Sequence, residues 1–354
     1  MKEEGKSEQE EKSLVFNLQS SAPREIRIAT RKSDLALWQA NWVKGRLETL
    51  GHTVELVLIE TKGDKTQGDN EPFAQMSGQG FFTKAVQDAV LDGRADMAVH
   101  SHKDLPSMPF DGLEVAAVTK RADPRDALLI RGQGSGVREQ RAGERGKGEG
   151  ERQPSTFNLQ PSTAFKSSIF NLQSLISLPE GSVVGTSAIR RQKQLLALRP
   201  DVKVKELRGN VPTRIQKLRD GDYDAIVLAA AGLERLELDL SDLGVHPLEP
   251  SVMMPAPAQG VLALETRRDG YEIASILTEL HDNTTYKAVA AERGLMSMLQ
   301  GGCQLALGAY ATYENGVVSL SAWYEGQRVN VQNPSSENAA MLAFDALGRP
   351  MVEQ

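Results

Sequence analysis

The sequence predicts an α/β protein: two domains of alternating strands and helices that face each other across a cleft, followed by a small α+β unit. Three observations predict it. Short apolar runs alternate with helical stretches through two long blocks of the chain. Polar and arginine-bearing segments fall just after the strands of both blocks. Beyond residue 303 the pattern changes to that of a hairpin followed by a helix.

The elements follow in order. Residues 1–23 are polar and read as an unstructured leader. Ile26 to Ala29 reads as a strand, and Ser33 as the cap of a helix carrying Ala36, Ala40, Val43, Leu47 and Leu50 on one stripe. Val54 to Ile59 is a strand, Thr83 to Leu91 a helix stopped at Gly93, and Asp96 to Val99 and Leu113 to Val118 are strands. Arg131 to Arg152 holds almost no large apolar side chain and reads as a disordered loop. The word Phe-Asn-Leu-Gln occurs at Phe16, Phe157 and Phe170 without a sustained period, which marks low-complexity insertion rather than a solenoid. The rhythm resumes with a strand at Val183 to Gly185, a helix over Ala188 to Leu198, a strand over Val202 to Leu207 and a helix over Thr213 to Arg219. Strands at Ala225 to Leu228 and Val261 to Glu265 follow, then a helix over Thr285 to Leu299 with Ala288, Ala291, Leu295 and Met298 on one side. Leu305 to Tyr313 and Val317 to Tyr324 flank Glu314-Asn315-Gly316 as a hairpin, and a helix near Glu337 to Leu347 closes the unit. Alternation of this kind predicts largely parallel sheets.

Bulk properties narrow the function. Residues are 40% apolar and 25% charged, the balance of a soluble globular chain. A net charge of −6 leaves no global basic field for nucleic acid. No apolar run approaches the roughly 20 residues of a membrane span, and Met1 to Lys12 lacks the apolar centre of a signal peptide. A single cysteine excludes an intramolecular disulfide framework, so a cytoplasmic location is expected.

The chemistry-bearing residues gather after strands: Thr30-Arg31-Lys32-Ser33, Ser101-His102-Lys103-Asp104, Thr186-Ser187 with Arg190-Arg191, Arg208-Gly209-Asn210 with Arg214, and Arg235. In open α/β sheets ligands bind outside the carboxyl ends of strands, where helix N-termini add amide donors. Arginine forks grip carboxylates or phosphates through paired bonds, so this cleft calls for a ligand with several negative groups. Asp104 among these cations either caps a turn or stabilises a developing cation and moves a proton. His100-x-His102-x-Asp104 has the spacing of metallo-β-lactamase-like hydrolases, but Leu105 stands where their next histidine falls, and His52, His246 and His281 lie in no matching motif. No metal site is expected. Ser77 to Lys84 is a glycine-rich stretch before a helix, without the Walker spacing. Cys303, in Gln300-Gly301-Gly302-Cys303-Gln304, is either an inert small hydrophobe or a nucleophile or attachment point.

Taken in order, seven segments resemble the porphobilinogen deaminase family over about residues 24–130 and 178–325. They are Ile28 to Ser33, Ala98 to Asp104, Asp123 to Ala127, Gly185 to Ser187 with Arg190 to Gln192, Leu207 to Val211, Pro257 to Gly260, and Gly301 to Gln304. Each is weak alone; their order carries the resemblance. It implies two periplasmic-binding-protein-like βα domains with a hinged cleft, and a third domain bearing the cofactor. It implies a dipyrromethane cofactor on Cys303 through a thioether, porphobilinogen as substrate, stepwise condensation of four such units with loss of ammonia, hydrolytic release of hydroxymethylbilane, and a monomer. Asp104 then assists deamination and stabilises the azafulvenium cation. Ser101, Lys103, Asp104, Thr186, Ser187, Arg190, Arg191 and Arg208 hold the cofactor, and Arg31, Ser33, Lys84, Arg214, Arg235 and Gln259 the substrate. The same two-domain architecture serves solute-binding modules, which carry no anchoring cysteine. Departures are Gln79 where lysine is common, Ala188 where serine is frequent, and the added span 131–177. The expected division is 24–120 with 260–280, then 121–259, then 281–354.

Overall fold

The computed structural model describes residues 23–60, 83–132, 173–299 and 305–348. The leader to residue 22, the glycine-rich stretch with Gln79, most of the insertion and Cys303 lie outside the described residues. The chain builds two α/β domains, each a five-stranded sheet covered by helices, and a small domain around a three-stranded sheet.

The first sheet contains β1 (Glu25–Arg31), β2 (Thr53–Ile59), β3 (Met97–Ser101), β4 (Leu113–Val118) and β10 (Leu262–Arg267), in the order β2-β1-β3-β10-β4. The second contains β5 (Asp126–Arg131), β6 (Val183–Gly185), β7 (Lys203–Lys205), β8 (Ala225–Ala229) and β9 (Leu243–Leu248), in the order β7-β6-β8-β5-β9. The two orders are equivalent. In each, the fourth strand is antiparallel and comes from the chain after it has crossed from the other domain. The expectation of mainly parallel sheets holds for the other four strands. The exchange strand β5 and its neighbour β9 were not anticipated from sequence.

Side chains alternate as the pleat requires. Ile26, Ile28, Met97 and Val99 pack with Ala40, Val43 and Leu47 of α1 (Asp34–Thr49), while Ala29 and Ala98 face Val86, Ala89 and Val90 of α2 (Lys84–Leu91). Both faces are therefore buried, which is why these strands read as continuous apolar runs. Each fully buried Ile or Leu contributes roughly 1.5–3 kcal/mol. On α1, Ser33 occupies the N-cap position without a side-chain capping bond, and Leu50 at the far end is exposed. The second sheet is covered by α3 (Ile189–Leu198), α4 (Val211–Arg219) and α5 (Ala230–Leu236). Asn210 caps α4, its side chain accepting from Thr213 N at 2.9 Å. Two readings of the insertion are corrected here. Arg131 is the last residue of β5, and residues 173–177 belong to the second domain: Leu175 is fully buried beside Leu128 and Leu195, and its carbonyl accepts from Arg199 Nη1 at 2.6 Å.

After α6 (Tyr271–Leu277), the third domain packs α7 (Asn283–Met298) and α8 (Ser336–Ala346) on β11 (Gly308–Glu314), β12 (Val317–Tyr324) and β13 (Gln327–Asn333). The first turn is as read: Asn315 and Gly316 both have positive φ, at 51° and 82°. A second turn at Glu325-Gly326, with φ of 46° and 87°, adds β13.

Two crossover segments, residues 119–125 and 249–261, run side by side between the sheets. Ala122 N donates to Gly260 O at 3.1 Å and Thr119 N to Leu262 O at 3.1 Å. Gly260 has φ of 88°, and a Cβ there would sit 2.7 Å from Ala122 O, so the close approach admits only glycine.

Candidate functional site

Polar side chains converge where the carboxyl ends of both sheets meet the crossovers. From the first sheet, β3 ends at Ser101 and continues as a single 3-10 turn, His102–Asp104. From the second, α3 begins with Arg190 and Arg191, α4 brings Arg214 and α5 brings Arg235. Gln259 comes from the returning crossover.

Asp126, the first residue of β5 and fully buried, organises the centre. Its Oδ2 accepts from Arg190 Nη1 at 2.8 Å, and its Oδ1 from Arg191 Nη2 at 2.7 Å, Arg191 Nε at 3.1 Å and Gln259 Nε2 at 2.9 Å. Burial pushes the Asp126 carboxyl up, but Arg190 and Arg191 outweigh it and hold it well below the usual carboxylate range. Arg191 has all its nitrogens engaged, since Nη1 also donates to Val227 O at 2.9 Å. Arg190 is engaged through Nη1 alone among the described residues, to Asp126 and the carbonyl of Met254. The pair is buried rather than spread along a solvated helix face, and Arg190 retains an edge for a ligand.

Gln259 carries this network to the first domain. Its Oε1 accepts from Lys103 Nζ at 3.3 Å, and its Nε2 also donates to Pro124 O at 2.8 Å. Burial lowers Lys103 to about 8; Asp104 opposes that shift, and Arg191 and Arg190 reinforce it. Asp104 is exposed, makes no hydrogen bond among the described residues, and exerts its field on Lys103 and Arg214. No side-chain hydrogen bond caps this turn among the described residues. Arg214 and Arg235 are both lowered to about 10 by burial, and neither forms an ion pair among the described residues. Arg214 Nε donates to Gly209 O at 2.7 Å; Arg235 Nη2 donates to Gly260 O at 2.8 Å and its guanidinium lies 5.7 Å from the Trp38 ring centre. Desolvated guanidiniums without carboxylates are costly unless a ligand supplies them.

The remaining expected residues are placed variously. Ser101 Oγ accepts from Gln39 Nε2 at 2.8 Å. Thr186 is buried, and Ser187 Oγ donates to Leu207 O at 2.7 Å, stitching the loops after β6 and β7 together. Arg31 ends β1, Ser33 begins α1, and Arg208 pairs with Glu206 at 2.9 Å. Lys84 is turned to its own helix and neighbour, pairing with Asp88 at 3.1 Å and lying 5.0 Å from the Phe110 ring centre. His100 and His102 have separate surroundings. His100 Nε2 lies 3.0 Å from Glu265 Oε2, whose other oxygen accepts from Gln87. Burial, with Arg293 and Arg121 nearby, pushes His102 well below the usual imidazole range. Among the described residues no three His, Cys, Asp or Glu side chains are grouped to hold a metal.

Two contributors escaped sequence reasoning, and a third, Asp126, stood in the segment Asp123 to Ala127 without a role. Gln39 sits on the buried stripe of α1, Asp126 heads an apolar strand, and Glu292 lies fully buried within α7. The signal was the same in each case: a polar residue inside an apolar pattern. Glu292 is bidentate to Arg121, at 2.8 Å from both Nη1 and Nη2, and accepts from Ala258 N at 2.7 Å and Ala311 N at 2.6 Å. It thus joins both crossovers to the third domain.

The arrangement fits a polyacidic aromatic cofactor. Lys103, Arg190, Arg191 and Arg214 outnumber Asp104 and Asp126, and among the described residues Asp104 makes no hydrogen bond. Comparison with known proteins gives the same answer. The family model described as porphobilinogen deaminase, dipyromethane cofactor binding domain, matches residues 26–148 and 157–275; that described as porphobilinogen deaminase, C-terminal domain, matches residues 286–324. The chain is 41% identical over 302 residues to a porphobilinogen deaminase of Maridesulfovibrio salexigens, covering 85% of this chain and 84% of that protein. It is 39% identical over 332 residues to that of Chromobacterium violaceum, covering 93% and 94%. A chloroplastic porphobilinogen deaminase of Euglena gracilis is 41% identical over 305 residues, 85% of this chain and 56% of that one. By the match of both domain models and by these relatives, the chain belongs to the porphobilinogen deaminase family.

Proposed function

We propose that this chain is a hydroxymethylbilane synthase, a transferase that condenses four porphobilinogen molecules head to tail with loss of ammonia and releases the linear tetrapyrrole by hydrolysis. The observation that carries the reading is Asp104: an exposed carboxylate with no hydrogen-bond partner among the described residues, acting on Lys103 and Arg214 at the edge of a guanidinium-lined cleft.

A dipyrromethane cofactor, bound through a thioether to Cys303, supplies the free pyrrole α-carbon on which growth begins. Lys103, Arg190 and Arg208 would hold its carboxylates, with Ser101, Thr186 and Ser187 shaping the loops around it and Arg191 acting through Asp126. Arg214 and Arg235, with Arg31 and Ser33, would take the acetate and propionate of the incoming monomer; Gln259 would act by holding Lys103, and Lys84 would reach the monomer only by leaving Asp88. In each addition the aminomethyl C–N bond of porphobilinogen breaks, and ammonia departs from the protonated amine. The new C–C bond would form to the terminal pyrrole, whose α-proton would pass to the Asp104 carboxylate and on to the departed ammonia. Asp104 stabilises the positive charge as ammonia leaves and accepts a pyrrole N–H hydrogen bond, work that suits a carboxylate with no donor among the described residues. Holding both partners by their carboxylates makes each step a positioned reaction.

Intact mass spectrometry tests the reading. The expected wild-type chain carries two linked pyrrole units, Cys303→Ser carries none, and only the wild type converts porphobilinogen to an Ehrlich-positive tetrapyrrole. A bare polypeptide mass in an active wild type would remove the cofactor assignment, and a cofactor-bearing chain without turnover would remove the activity. The same reading places the protein in the cytoplasm as a monomer. It rests on the lone cysteine and the family resemblance, and no helix of the described residues is long and apolar enough to cross a membrane. Fractionation and light scattering check it.

A further inference from the structure

Among the described residues Asp104 makes no hydrogen bond of its own, so its position follows the backbone that carries it. That backbone is held from outside the first domain. Arg293, on α7 of the third domain, donates Nη1 to His102 O at 3.2 Å and to Leu105 O at 3.3 Å, and Nη2 to Pro106 O at 2.5 Å. These carbonyls bracket Asp104 on both sides. Hydrogen bonds from a charged donor are roughly twice as strong as neutral ones, and a rigid fork gripping several carbonyls fixes direction as well as distance. The neighbouring Glu292 anchors the same turn of α7 to both crossovers and to β11, so the fork projects from a fixed base. The buried side chains of His102 and Leu105 hold the turn from beneath.

We infer that Arg293 is a positioning residue for the Asp104 turn, acting across the domain boundary through backbone carbonyls and touching neither substrate nor cofactor. The inference deepens the functional reading above and rests on it for its kinetic arm, but not for its structural arm.

The structural arm is hydrogen–deuterium exchange of peptides covering residues 101–108. Arg293→Met should speed exchange there about tenfold or more while α1 and β12 exchange as in the wild type; unchanged exchange overturns the proposal whether or not the protein makes tetrapyrrole. The kinetic arm compares Arg293→Met, Asp104→Asn and the double variant in cofactor-loaded protein, with loading checked by mass. Displacement of a reacting group by about 1 Å can cost on the order of 100-fold in rate. Arg293→Met should therefore lose kcat by tenfold or more with KM within about threefold. It should add nothing further in the Asp104→Asn background, because both act at one point. Arg293→Lys, which keeps the charge and loses the fork, should recover part of kcat, and serves as the test variant if methionine unfolds the chain. Full kcat in the folded variants, or losses that multiply in the double variant, would sink the proposal.

Discussion

Asp126→Asn isolates the electrostatic keystone of the cleft. The substitution keeps size and shape but removes the charge that two buried guanidiniums share at 2.7 and 2.8 Å. At a charge separation of about 4 Å and an effective dielectric of about 20, each pair is worth roughly 4 kcal/mol before desolvation and mutual repulsion of the arginines are subtracted. Breaking a buried pair by removing one partner costs roughly 3–5 kcal/mol. The amide also turns a donor toward donors that Arg190, Arg191 and Gln259 already aim at this site. We expect the unfolding free energy from urea titration, followed by far-UV circular dichroism, to fall by about 3–5 kcal/mol at pH 7. The pH dependence carries a sign. A carboxyl held below its unfolded value contributes fully above that value, near about 4, and loses the contribution as pH falls through the folded value. The gap between wild type and variant should therefore be constant from pH 7 to 5 and narrow only below about 4. A difference under about 1 kcal/mol at pH 7, or a gap that closes between pH 7 and 5, would refute the account of Asp126 as the shared counter-ion.

Other outcomes follow from the same geometry. Lys103, lowered to about 8, loses its charge as pH rises through that value, so kcat/KM for the anionic substrate should fall on a basic limb near pH 8. In Lys103→Arg, which stays protonated, the pH–rate profile should lack that limb. Asp104→Asn should fold with wild-type melting behaviour and lose tetrapyrrole formation by at least about 100-fold; near-normal turnover would exclude it from the chemistry. Gly260→Ala forces a side chain against Ala122 O at positive φ and should cost more than about 1 kcal/mol by urea titration. Glu292→Gln should cost roughly 3–5 kcal/mol, with the loss seen in transitions of both the crossovers and the third domain by hydrogen exchange.

Much of this was legible in the chain because period and punctuation are local. The strands ending at Arg31 and Ser101 and the helix after Asp282 follow from apolar spacing, and the Asn315-Gly316 turn from its residue pair. What sequence did not show is non-local. β5 and β9 are six-residue runs far apart in the chain, and β5 takes its place only by pairing with β8 and β9 across the inserted span. The arginines were legible as a group, but their division of labour was not. Which of Arg190 and Arg191 keeps an open edge depends on Asp126, Met254 and Val227 meeting in space. Likewise Ser101 stood out, whereas its partner Gln39 was hidden one position from Ala40 on an apolar helix face.

The exchange of strands between the two sheets has a consequence for synthesis. β4 ends at Val118, and its ladder partner among the described residues, β10, begins at Leu262, after the last strand of the second sheet has already been translated at Leu248. A nascent chain leaving the ribosome therefore holds every strand of the later sheet before the earlier one can close. Until Arg267 emerges, the inner edge of β3 stands open on the very strand that will deliver the reactive turn.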